Sequence, residues 1–93
     1  MIMSNTNEIQ PRVRAFILQK FPPARKRGLT DDLLLLESGI IDSLGVLDVV
    51  GFLEETFGIK VEDEELTPEN FGSVNCMVSF VSQKRSWFDA TAV

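Results

Sequence analysis

The strongest constraint on the fold lies between Ser43 and Phe57. Val46, Val49, Val50, Leu53 and Phe57 recur there at i, i+3, i+4, i+7 and i+11, the spacing that lines one face of a helix. Gly58 follows at the position where helices favour a left-handed stop. A stripe of this kind has to be buried, and the rest of the chain offers more helices and no strand pattern to rival them. Ile9, Val13, Phe16 and Ile17 share another helical face, with Lys20 one turn further on. Asn7 and Gln10, three residues apart, suit a capping box, and Pro11 then falls near the first turn, where a missing N–H does little harm. "LTPENF" (66–71) predicts a brief helical turn with Thr67 as cap and Pro68 in first position. "SVNCMVSFVSQKR" (73–85) predicts a last helix. Ser73 caps it, Val74, Met77, Val78 and Val81 form its inner face, and Lys84 and Arg85 complement its C-terminal dipole. The expectation is an all-α fold: a small four-helix bundle with a long first loop and a short third helix.

At 93 residues the chain is the size of one small domain. Residues 1–93 are therefore expected to form a single domain, with its core at about 7–85 and a tail, "SWFDATAV", at 86–93. The tail has no periodicity, and Trp87 and Phe88 either fold back on the core or stay loose. "FPPARKRG" (21–28) stops the first helix, because the residue before a proline disfavours helical backbone. The connection from 21 to 42 is longer than most structureless loops. "LTDDLLLLESG" gives it the means to pack. Thr30 or Asp31 caps one turn, some of Leu33 to Leu36 pin the loop to the core, and Gly39 takes a positive φ.

Charge is distributed unevenly. Residues 1–30 hold six basic residues and one acid, whereas residues 31–70 hold twelve acids and one base, Lys60. A strongly negative middle argues against nucleic acid, which requires a positive face. It suits a partner with a basic patch, although acids also simply keep a small domain soluble. No apolar run approaches the roughly 18 residues of a membrane span, the N-terminus lacks a signal-peptide pattern, and Cys76 is the one cysteine. These features lead us to expect a cytoplasmic protein, with Cys76 as a small buried hydrophobe.

The chain has no histidine, so Ser43 lacks the usual base of a nucleophilic serine. Neither a G-x-S-x-G elbow nor an S-x-x-K pair occurs, and the chain is not expected to be an enzyme on its own. The acidic "EDEEL" (62–66) lacks the spacing of a calcium loop and reads as solvated. Capping of the central helix, worth about 1 kcal/mol, accounts for Ser43 without any chemistry, and Asp42 offers the same cap. Leu44 and Leu47, with Gly51, lie off the buried stripe beside Asp48, Glu54 and Glu55. That combination is either a docking surface or a scatter of exposed apolar residues.

"GIIDSL" (39–44), "FLEETFGIKV" (52–61) and "LTPENFGSV" (66–74) together resemble the acyl or peptidyl carrier proteins. The resemblance spans at least residues 30–82, and the first helix fits it. It implies that Ser43 is the attachment point for 4′-phosphopantetheine, delivered from coenzyme A by a phosphopantetheinyl transferase that supplies the activating groups. Asp42 matches the family acid beside the serine, and Leu44 the leucine that partners commonly contact. Leu47, Asp48, Gly51, Glu54 and Glu55 complete the partner face that the resemblance implies. Ile40 and Ile41 would anchor the loop, one inward and one nearer the arm. The implied partners are the transferase, an acyl- or aminoacyl-activating ligase, and an acyl transferase or synthase, with no nucleic acid, no membrane and a monomeric chain.

Two departures bear on subtype. Gly45 stands where fatty-acid carriers usually have a polar residue, and resembles the D-alanyl carrier proteins there. Gly51 is small where fatty-acid carriers often have a larger residue. Each weakens the helix by about 0.5–1 kcal/mol relative to alanine, a cost explained if a partner or the arm approaches closely, or by drift at tolerant sites. "ETFGIKVEDEELTPENF" resembles stand-alone carriers serving amino-acid-activating or polyketide-type enzymes. An unmodified helical interaction module with the same fold is the alternative.

Overall fold

The computed structural model describes the backbone of residues 5–92 and the side chains of 9–85. Among these residues the chain is helical, with no strand. Its elements are α1 (Asn5–Lys20), α2 (Pro22–Arg27), α3 (Ser43–Phe57), a 3-10 turn (Asp63–Glu65), α4 (Pro68–Phe71) and α5 (Val74–Ala92). α5 packs on α1, α3 and α4, and α1 also meets α2 and α3. Three triplets meet in the core: Ile9, Val13 and Ile17 from α1, Val49, Leu53 and Phe57 from α3, and Val74, Met77 and Val81 from α5.

Several boundaries differ from the sequence reading. α1 begins at Asn5, so Asn7 lies inside it, no capping box opens there, and Pro11 sits in the interior. Pro11 removes one N–H from the ladder, and α1 tolerates this because its inner face is fully buried. "FPPARKRG" does end α1, but it then starts α2. Proline occupies the first turn of that helix and Gly28 closes it at φ 82°, so residues that break one helix open the next. α5 runs on through residues read as a structureless tail. Lys84 and Arg85 are therefore mid-helix, and they serve as contacts, not as dipole partners. Lys84 pairs with Glu65 at 3.0 Å and Arg85 lies over the Phe57 ring. The side chains of Trp87 and Phe88 lie outside the described residues. Ser73 caps α5 as expected, accepting from the Cys76 amide. Thr67 sits at the α4 N-cap without a side-chain bond, and its carbonyl serves instead, accepting from the Asn70 and Phe71 amides. Cys76 is half-buried, more exposed than expected.

The loop before α3 is tightly held. Leu35 is buried, its amide donates to the Gly72 carbonyl at 2.8 Å, and its own carbonyl accepts from Ile40 and Ile41. Asp31 links three elements. Its carboxylate accepts from Arg14 at 2.8 Å and from Gln10 at 2.6 Å, and its carbonyl takes the Asn75 amide. Gly39 closes the last turn at φ 82°. The chain therefore enters α3 from a fixed direction.

Candidate functional site

The head of α3 separates two roles that the sequence left open. Asp42 is the N-cap, in extended backbone, and its carboxylate accepts the Gly45 amide at 2.7 Å. Ser43 is thus the first helical residue and not the cap. It is exposed, and its hydroxyl makes no hydrogen bond among the described residues. Ile40 and Ile41 are both buried, so neither turns outward, and together they clamp the loop beneath Asp42. Gly45 is buried against this clamp. A β-carbon there would lie 2.9 Å from both the Ile41 side chain and the Phe21 ring. The glycine is required by the chain's own packing, and the expectation of a partner or arm approaching it is corrected.

Leu44 is 75% exposed and Leu47 57%, large values for leucines on a helix whose other face forms the core. Asp48 and Glu55 are exposed, and Asp48 comes within 4.0 Å of Lys20. Glu54 serves the fold: its carboxylate accepts the Val61 amide at 3.0 Å and pins the segment after α3. Gly51 is exposed, and a β-carbon there would meet nothing within 4 Å.

Beside Ser43 runs a groove of about 230 Å³, walled by Leu36, Val46, Leu47, Leu66 and Phe71. Leu36, read only as one of four leucines that could pin the loop to the core, is exposed and lines the groove instead, and Leu66 was not singled out, since it lies in a segment read only as a turn. Among the described residues that line the groove there is no lysine, arginine or histidine. The arrangement presents a hydroxyl to an outside reagent and offers apolar walls next to it. The acidic segment that follows forms a 3-10 turn in which the Glu65 carboxylate accepts the Glu62 amide at 2.9 Å and the Glu65 amide donates to the Glu62 carbonyl. Glu65 accepts from Lys84, and its carboxyl is held below the ordinary value of 4.5, first by the Glu62 amide and then by Lys84, against the opposing effect of burial.

No family model matches the chain. Single relatives do. It is 31% identical over 70 residues to the probable acyl carrier protein PigG of a Serratia strain, covering 75% of this chain and 80% of that one. It is 30% identical over 82 residues to an acyl carrier protein of Thermotoga maritima, covering 88% and 98%. An acyl carrier protein homolog of Mycoplasmopsis pulmonis is 33% identical over 72 residues, covering 77% and 94%. Among solved structures, a holo acyl carrier protein from Nitrosomonas europaea superposes with a TM-score of 0.62 at 29% identity, covering 90% of this chain and 99% of that one.

Proposed function

The chain belongs to the acyl carrier protein family, and on that premise we propose that it is a discrete, monomeric carrier bearing 4′-phosphopantetheine on Ser43. The observation that carries this reading is the division of labour at the head of α3. Asp42 caps the helix, and the Ser43 hydroxyl is left exposed, with no hydrogen bond among the described residues. A serine retained for stability would make the cap itself.

The residues present fit the group. Ser43 is reachable from solvent, the Ser43 and Leu44 amides open the helix toward a phosphate oxygen, and the groove walled by Leu36, Val46 and Phe71 lies alongside. When bound, the arm supplies a thiol that holds acyl or aminoacyl cargo as a thioester. The chain's contribution to loading is the Ser43 oxygen. It attacks the coenzyme A phosphorus to form a phosphodiester, the pyrophosphate bond breaks to release the nucleotide, and the proton passes to a base of the transferase. Leu44, Leu47, Asp48 and Glu55 form the face that meets the transferase, an acyl- or aminoacyl-activating ligase, and an acyl transferase or synthase. Glu54 stands at its edge, committed to Val61. A specialised pathway suits this chain, by its likeness to stand-alone carriers.

Incubation with coenzyme A and a broad-specificity phosphopantetheinyl transferase, followed by intact mass, tests the reading. The wild-type chain is expected to gain one phosphopantetheine and Ser43→Ala none. No gain, or a gain that survives Ser43→Ala, rejects it in favour of an unmodified interaction module.

A further inference from the structure

The far wall of the groove beside Ser43 is built differently from the near one. Val46 and Leu47 stand on α3, a helix of the core. Leu66, Thr67 and Pro68 instead belong to a segment, 62–70, in which no residue is buried. Backbone bonds there close on the segment itself, from the Leu66 amide to Asp63 and from the Asn70 amide to Thr67. Its C-terminal end is anchored. Phe71 is buried, its ring 5.2 Å from that of Phe80, and the Gly72 carbonyl takes the Leu35 amide at 2.8 Å. Nearer its middle the segment is tied to α5 by a side chain: Lys84 donates to both carboxylate oxygens of Glu65, at 3.0 and 3.2 Å. The two side chains are only 23% and 27% exposed, and Lys84 also lies over the Phe80 ring. Asn70 extends the tie, its side-chain amide donating to the Glu65 carbonyl at 2.8 Å. Glu65, Asn70 and Lys84 line an open hollow of about 660 Å³ beside α5, so the segment has free space on that side.

We propose that the Lys84–Glu65 pair is a latch that positions this wall and thereby limits the length of acyl group the groove holds once Ser43 is loaded. The proposal rests on the reading of Ser43 as the attachment point. Lys84 is a positioning residue: it lines the hollow and not the groove, and it acts through Glu65 on the adjoining Leu66. Partial burial suits the pair to this task. A fully exposed ion pair contributes almost nothing, whereas one shielded from water and joined by two charge-assisted bonds fixes a single geometry. Closed, the latch holds the groove at about 230 Å³, room for about eight methylene-sized groups if each takes the roughly 30 Å³ of a water. A longer chain requires Leu66 and Pro68 to swing outward about the anchored Phe71 and Gly72, and the latch opposes that motion.

Lys84→Met tests the latch, because methionine keeps an apolar stem on Phe80 and removes the charge, while Lys84→Arg restores the pair. Amide exchange on the unloaded full chain is the first measurement. In Lys84→Met, exchange at Leu66 and Asn70 is expected to rise by about tenfold or more. The Leu35 amide, bonded to the anchored Gly72 carbonyl, is expected to keep its wild-type rate, and Lys84→Arg to match wild type at all three. Ser43 is then loaded with hexanoyl- or dodecanoyl-phosphopantetheine from the acyl coenzyme A by the broad-specificity transferase, and cleavage of each thioester by hydroxylamine is timed. Wild type is expected to shield the hexanoyl thioester better than the dodecanoyl one, and Lys84→Met to shield the two alike. A merely destabilised fold would speed exchange at Leu35 as well and keep the order of the two thioesters. Exchange at Leu66 and Asn70 within about twofold of wild type overturns the latch, and so does a ratio of the two cleavage rates that Lys84→Met leaves unchanged. A wild-type chain that gains no mass overturns the Ser43 reading and the limit on cargo with it, an outcome distinct from unchanged exchange on the unloaded chain.

Discussion

Adjacent residues 42 and 43 carry different duties, and substitution separates them. The Asp42 carboxylate satisfies the Gly45 amide, one of the donors a helix start leaves open. Asp42→Ala is expected to cost about 1 kcal/mol in chemical denaturation, while Ser43→Ala is expected to leave the midpoint unchanged and to remove modification. A stability loss at Ser43 as large as that at Asp42 would return the serine to a structural role. Gly45 behaves oppositely to Gly51. An added methyl at 45 collides with buried Ile41 and with Phe21 at 2.9 Å. Overpacking typically costs about 1–3 kcal/mol, which outweighs the roughly 1 kcal/mol that alanine returns in helix propensity. Gly45→Ala is therefore expected to lower the denaturation midpoint.

Among the elements, the span of α3 was legible from sequence, because a strong stripe and a terminal glycine point to the same boundaries, whereas the choice of cap between Asp42 and Ser43 was settled only by the structure. The start of the last helix was equally readable from Ser73. The loop before α3 was legible only in outline. Four consecutive leucines have no period, and only tertiary packing selects Leu35 for burial while Leu34 and Leu36 remain exposed. α2 was hidden because its prolines, read as a stop, also fit a first turn. The site divided similarly. Asp42, Ser43 and Leu44 were local and visible, whereas Leu66 and Phe71 reach the same groove from more than twenty residues away. Leu35→Ala tests how far the loop governs the site. Deleting a buried leucine side chain costs about 2–5 kcal/mol. The loss here is expected to be accompanied by faster amide exchange at Ile40 and Ile41, whose donors bond to the Leu35 carbonyl. Unchanged exchange at those two amides would show that the loop is held without Leu35.

Charge acts at the scale of the whole molecule, in two places with different consequences. At the Glu65–Lys84 pair it supports the fold. The Glu65 carboxyl titrates lower in the folded chain than its ordinary 4.5. Its stabilising contribution is thus fully present above that value and is lost as pH falls through the folded one. Wild type is expected to lose stability below about pH 4.5 more steeply than Glu65→Gln, and parallel pH profiles would remove Glu65 from the account. On the outer face of α3, the role proposed for charge is encounter with a partner. Asp48 and Glu55 are exposed, and among the described residues their one ion pair is the long Lys20–Asp48 contact at 4.0 Å. Exposed pairs of that length contribute little to stability, so reversing both acids to lysine is expected to leave the melting temperature nearly unchanged. Glu54 is left out of the variant, because its bond to the Val61 amide would confound stability with recognition. A basic partner steered toward an acidic face associates faster at low ionic strength, and the advantage fades as the Debye length falls to about 8 Å at 0.15 M salt. The double reversal is therefore expected to slow association with the transferase by about tenfold or more at low salt, and by much less at high salt. Stopped-flow association rates across a salt series measure both slopes. A wild-type rate indifferent to salt would mean that apolar contact at Leu44 and Leu47 guides the encounter, with the acids there only to keep that face hydrated.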